Sequence, residues 1–171
     1  TGSFTVVSDF STTATSNQNI FSYTPSNGSD GGGDLRLFVQ GNGNLRIEMS
    51  FGAGFEADLG TLNLNDGATH RVAAVFDSSA GDSFQDVDLY VDGTFYNVTS
   101  GTDHPIDLGA TVTVADEVSV GYQLHVTGDR TFTGTIELTQ IYDTALSGAE
   151  LTAIPEPAAY AVFFGLTGLA L

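Results

Sequence analysis

The stretch Val87-Asp88-Leu89-Tyr90-Val91-Asp92-Gly93 constrains the fold most tightly. Apolar and polar residues alternate along it, as on a half-buried strand, and Asp92-Gly93 is a strong signal for a tight backbone reversal. A hairpin is expected, with Thr94-Phe95-Tyr96-Asn97-Val98 as its returning arm. A second strand, Thr69 to Phe76, starts directly after another Asp-Gly pair, Asp66-Gly67. These two strands are expected at the centre of a sheet.

The rest of the chain supplies more short strands joined by turns. Phe4 to Val7 and Ile20 to Tyr23 flank a polar loop, and three consecutive glycines at 31–33 keep the next segment irregular. Leu35 to Val39 and Leu45 to Phe51 flank Gln40-Gly41-Asn42-Gly43-Asn44, and the second run alternates throughout, which predicts an antiparallel hairpin. Leu59, Leu62 and Leu64 suggest a further short strand. Val112 to Val114, Val118 to Tyr122 and Thr131 to Tyr142 complete the set, with Gly134 at a bulge. Ser147 and Glu150 have the spacing of a capping box and predict a short helical turn after the last strand. So many short strands must close or double, and the expected class is all-β: an antiparallel two-sheet sandwich of jelly-roll type.

Charge narrows the partners. The 171 residues carry 21 Asp and Glu against only four basic residues, Arg36, Arg46, Arg71 and Arg130, for a net charge of −17. A nucleic-acid partner is excluded in practice, because such binding is driven by neutralising phosphates. The absence of Cys removes a disulfide framework and thiolate metal sites. Thr1 follows no basic-then-apolar leader, as expected of an exported product whose signal has been removed.

Several motifs in order resemble the concanavalin A-like, laminin G-like superfamily. Asp66-Gly67-Ala68-Thr69-His70-Arg71-Val72 resembles its Asp-Gly-x-Trp-His strand, with Thr69 where the family usually has Trp. Leu89 to Gly93 resembles its Leu-Tyr-Val-Asp-Gly turn, and Phe132 to Ile136 with Ile141 to Ser147 resembles its closing run. The resemblance spans roughly residues 20–153. It implies a jelly roll that binds carbohydrates or proteins, sometimes through Ca²⁺, or serves as a spacer.

The C-terminal end resembles a PEP-CTERM sorting signal of exported Gram-negative proteins, through Pro155, Glu156 and Pro157 followed by an apolar run to Leu171, without the terminal Arg cluster. That resemblance implies an extracellular or cell-surface location. The expected organisation is a jelly-roll domain at 1–153, a linker motif at 154–157 and an apolar helical tail at 158–171. A helix of that length rises about 21 Å, short of the roughly 30 Å of membrane hydrocarbon. Burying Val162, Phe163, Phe164, Leu166, Leu169 and Leu171 would gain roughly 9–18 kcal/mol, as much as the stability of a whole domain. The tail is therefore expected in a membrane, against its own domain, or against other copies of the chain, as an oligomer or filament.

Catalysis has no visible centre. The nearest approach to the superfamily's glycosidase motif, Glu56-Ala57-Asp58-Leu59-Gly60-Thr61, has Thr61 where a second Glu is required, and His70, His104 and His125 lack metal spacing. The expected function is a non-enzymatic exported surface or structural protein. The alternative is a lectin-like module for extracellular glycans, with Tyr96, Tyr122 or Tyr142 as sugar platforms. Asp77, Asp82 and Asp86 on one loop are candidate Ca²⁺ ligands, because that ion takes hard oxygen donors.

Overall fold

A computed structural model describes residues 2–24, 35–49, 54–56, 62–80, 86–96, 100–101, 117–122 and 131–155. The described strands are β1 (Phe4–Ser11), β2 (Gln18–Thr24), β3 (Leu35–Val39), β4 (Leu45–Met49), β5 (Gly54–Glu56), β6 (His70–Phe76), β7 (Val87–Val91), β8 (Thr94–Tyr96), β9 (Ser100–Gly101), β10 (Glu117–Val120) and β11 (Thr135–Tyr142). Among the described residues one helix follows them, α1 (Gly148–Ala153). Sheet A has the order β11-β1-β6-β7-β8 and sheet B the order β10-β2-β3-β4-β5-β9. Every described pairing is antiparallel. The expected all-β jelly-roll sandwich is the observed one.

Alternation decides which side chains fill the space between the sheets. Val6, Phe10, Val72, Ala74, Val87, Leu89 and Val91 of sheet A meet Ile20, Leu35, Leu37, Val39, Leu45 and Ile47 of sheet B in one buried cluster. The opposite parity in sheet A, Val7, Ala73 and Val75, forms a second cluster on the outer face, closed by Leu151 of α1. Sheet A is therefore apolar on both faces near its centre. That is why Val72 to Phe76 reads as a continuous buried run.

The expected hairpin forms with β7 and β8 as its arms. Asp92 and Gly93 have φ of 49° and 76°, the left-handed pair of a type I′ turn, whose twist matches that of the strands. β6 is the middle strand of sheet A, as expected, but β7 lies one place out, because β1 pairs along the other side of β6.

Two local expectations are corrected. The bulge in β11 is at Glu137, the residue skipped between the pairs Asp9–Leu138 and Phe10–Ile136, whereas Gly134 precedes the strand. Gly134 is required for a different reason: its φ is 144° and a Cβ there would collide with the Ser11 carbonyl oxygen. Leu62 and Leu64 are outside any strand, and Leu59 lies outside the described residues. Leu64 is instead a buried plug, its N–H donating to the Gly43 carbonyl while Asn65 donates to the carbonyls of Ala14 and Gly41. The expected strand at 112–114 lies outside the described residues.

Candidate functional site

The outer face of sheet A carries a buried ion pair. Strand parity places Asp9 of β1 and Arg71 of β6 side by side on it, as register partners. The Arg71 Nε and Nη2 donate to the two carboxylate oxygens of Asp9 at 2.6 Å each. Asp9 is fully buried and the Arg71 side chain is only 12% exposed, so the fork-to-fork pair is desolvated. The same guanidinium donates to the carbonyls of Ile154 and Pro155. One cation therefore neutralises a buried anion and holds the chain just after α1.

α1 is placed by its own cap. Ser147 Oγ accepts from the Glu150 N–H, and the Glu150 carboxylate accepts from the Ser147 N–H at 2.8 Å, the reciprocal pair expected from the spacing. The Ser147 hydroxyl, which donates to the Glu150 carboxylate at 2.7 Å, and then the Ser147 N–H hold that carboxyl below its ordinary pKa. Leu151 is thereby pressed onto Val7, Ala73 and Val75.

Beside this contact the helix and strands leave a cavity of about 390 Å³. Thr69, Arg71, Ala73, Tyr90, Asp92 and Gly93 line it from the sheet, and Leu151 and Thr152 from the helix. Its volume is within the range of small-molecule sites, about 300–1,000 Å³. Thr69, at the position of the family's Trp, is exposed at its rim. Tyr90 and Phe95 form a tilted ring pair, 5.4 Å between centroids and 57° between planes, and Phe95 is 45% exposed. Burial, then the charge of Asp88, raises the Tyr90 phenol pKa, so the hydroxyl keeps its proton.

Behind Asp92 sits His70, with Nδ1 2.8 Å from an Asp92 oxygen and Nε2 3.1 Å from an Asp66 oxygen. A neutral imidazole has one N–H, so two such contacts to carboxylates require the imidazolium. Partial burial opposes that charge, but hydrogen bonds to Asp92 and Asp66 and attraction to both carboxylates outweigh it, and the His70 pKa is raised. The other Asp92 oxygen accepts from the Arg71 N–H, and the Asp92 N–H donates to the Arg71 carbonyl. The β7–β8 turn is thus fastened to the start of β6.

The outer face of sheet B is built differently. Asn19 Nδ2, Ser22 Oγ and Ser119 Oγ all donate to the Tyr122 carbonyl, at 2.7, 3.1 and 2.6 Å, fixing the end of β10 to β2. Arg46 lies over the Phe38 ring at 5.8 Å and 3.4 Å from Glu48.

The sequence candidates fall as follows. Tyr96, Tyr122 and Tyr142 are not brought together. Tyr96 packs against the inter-sheet core from β8, and Tyr142 joins the outer-face cluster from β11, at the opposite edge of sheet A. Tyr122 is exposed beyond β10 in sheet B. The aromatic pair beside the cavity is Tyr90 and Phe95, which periodicity marked only as strand residues. Asp77 Oδ1 accepts from Ser79 Oγ, the Ser79 N–H and Ser3 Oγ, which hold its carboxyl below the ordinary pKa. Asp86 stands immediately before β7, and Asp82 lies outside the described residues. Among the described residues, no three His, Cys, Asp or Glu side chains converge as metal ligands. Pro155 is described, whereas Glu156, Pro157 and the tail from 158 to 171, with Val162, Phe163, Phe164, Leu166, Leu169 and Leu171, lie outside. Among the described residues no helix is long and apolar enough to cross a membrane.

Comparison with known proteins places the fold. The concanavalin A-like lectin/glucanases superfamily profile matches residues 1–152. The chain belongs to this superfamily. No curated protein matches the sequence. Among solved structures, this concanavalin A-like domain is similar to the CBM40 of the Ruminococcus gnavus IT-sialidase bound to α2,3 sialyllactose, with 18% identity, 91% of this chain and 83% of that one covered, and a TM-score of 0.60. It is also similar to a heptameric SAP-like pentraxin of Limulus polyphemus, at 16% identity over 90% and 70% of the two chains with a TM-score of 0.60. Domains LG4-5 of the mouse laminin α1 chain match at 17% identity over 85% and 39%, with a TM-score of 0.52. At these identities the likeness concerns the fold.

Proposed function

We propose that this chain is an exported, non-enzymatic surface protein. Its jelly-roll domain is held to a membrane, or to other copies of itself, by the apolar tail at 158–171. The observation that supports this is the Arg71 clamp. By holding the carbonyls of Ile154 and Pro155, it roots the following segment at one point on the outer face of sheet A. A fixed root lets an attached tail set the orientation of the domain. In this reading Pro155, Glu156 and Pro157 form a PEP-CTERM-type sorting motif, and the location is extracellular or at the cell surface of a Gram-negative bacterium. Thr61 in place of the second glycosidase Glu, and the engagement of both Asp66 and Asp92 with His70, support the non-enzymatic reading. The test compares the full chain with a version ending at Pro155, which keeps the clamp, by vesicle flotation and sedimentation in detergent-free buffer. The full chain floats with vesicles or sediments as an assembly, and the shortened one stays monomeric. Monomeric, non-floating behaviour of both overturns the reading.

A second reading, compatible with the first, is a carbohydrate-binding module for extracellular glycans, with or without Ca²⁺. It is favoured by the cavity beside α1, whose wall combines an aromatic ring with hydroxyls and a carboxylate. The sialyllactose in the Ruminococcus gnavus structures supports glycans as the ligand class. A glycan array with and without Ca²⁺ tests it, and silence in both conditions rejects it.

A further inference from the structure

We infer that the cavity between α1 and β6–β7 is a subsite for a neutral saccharide, with the Tyr90 ring, backed by Phe95, as its apolar platform. The inference rests on the glycan-binding reading and goes beyond it by fixing the place and the charge class of the ligand.

A pyranose presents C–H groups on one face and hydroxyls around its rim. It needs an aromatic surface on one side and directional polar groups on the other. Tyr90 supplies the surface from the cavity wall, and Phe95, nearly half exposed on an edge strand, packs on it from outside the lining. Tyr90 lines the cavity, and its hydroxyl has no hydrogen-bond partner among the described residues. A partly buried, protonated phenol of this kind lacks a partner that a ligand hydroxyl would provide. Asp92, whose side chain is 50% exposed, offers carboxylate lone pairs at the mouth, and Thr69 and Thr152 add hydroxyls.

Charge selects among saccharides. The Arg71 cation is matched by Asp9, and the His70 imidazolium is shared between Asp66 and Asp92. Two cations thus face three carboxylates, and Glu137 adds another through its contact with Thr69. The whole chain carries −17. An anionic sugar would meet a net negative site, with Arg71 already spanning Asp9 and the 154–155 carbonyls. Sialylated and uronic glycans are therefore disfavoured, unlike the sialyllactose of the structural neighbours.

The test screens the full chain against neutral, sialylated and uronic glycans, then titrates the best binder with Thr69→Trp and Phe95→Ala. Wild type binds neutral glycans only. Thr69→Trp fills the cavity and abolishes binding, and Phe95→Ala weakens it about tenfold, on the scale of one lost aromatic contact. The chain has no native Trp, so a blue-shifted emission from Thr69→Trp reports that the indole is seated, and an unchanged far-UV spectrum reports that the fold is intact. Neutral-glycan binding untouched by both variants overturns the subsite and leaves the glycan reading standing. Preference for sialylated or uronic glycans, abolished by Thr69→Trp, overturns the charge argument. Silence against every glycan overturns the glycan reading and the subsite with it.

Discussion

Replacing Arg71 by Met tests the outer face of sheet A at its most demanding point. The substitution keeps the aliphatic stem and removes the two 2.6 Å hydrogen bonds to a fully buried carboxylate. A buried ion that loses its partner costs about 3–5 kcal/mol. Losing the bonds to Ile154 and Pro155 adds to this, although those carbonyls can turn to water. For a chain of this length each kcal/mol lowers Tm by about 2–4 °C, so the expected loss is roughly 6–20 °C. Urea unfolding followed by far-UV circular dichroism measures the free energy directly. The double variant Asp9→Leu with Arg71→Met should recover most of the loss, because it removes the stranded charge together with its partner. The geometry also implies a local effect: in Arg71→Met, amide exchange in 148–155 accelerates beyond what the global loss explains. A cost below about 1 kcal/mol, the range of an exposed pair, would refute the argument.

Three further outcomes follow from named contacts. His70 has a raised pKa, so its stabilisation is complete below its ordinary value of 6.5 and is lost as pH rises through the higher folded-state value. The urea midpoint should fall between about pH 6 and 9 in wild type, with a flatter profile in His70→Gln; parallel profiles would show that His70 is not the charged group. Gly93→Ala should cost only about 1–2 kcal/mol, since its Cβ would meet Thr152 at an ordinary 3.6 Å and only the left-handed backbone resists. Gly134→Ala should cost roughly 3 kcal/mol or more, because strain and a clash with the Ser11 carbonyl add, and equal losses by urea unfolding would contradict this. Ser147→Ala should remove about 1 kcal/mol and loosen α1, read by amide exchange at Leu151, where unchanged protection would argue against the cap.

Much of the fold was legible because alternation and Asp-Gly turns are local signals. Leu35 to Val39, Leu45 to Met49 and Val87 to Tyr96 form the hairpins that their patterns announce. β1 was harder to bound, because Thr5, Ser8 and Asp9 are buried polar residues that blur the pattern, and their partners lie in β6, β11 and beyond. The Asp9–Arg71 pair spans 62 residues and leaves no local trace. A faint signal did exist: a lone carboxylate between Val7 and Phe10 needs a cation, and the chain has only four. The cavity was not legible, because alternation sorts Tyr90 and Phe95 to one face without showing what covers that face. Only the position of α1, set by the Ser147–Glu150 cap and Leu151, creates the space.

The most direct test of the outer face of sheet A as the functional face is amide chemical-shift mapping during titration with the best neutral glycan. Shifts concentrated at Thr69, Arg71, Asp92, Gly93 and Thr152, with Arg36 to Val39 of sheet B unmoved, are the predicted result. Shifts confined to sheet B, with the residues around α1 silent, would contradict it.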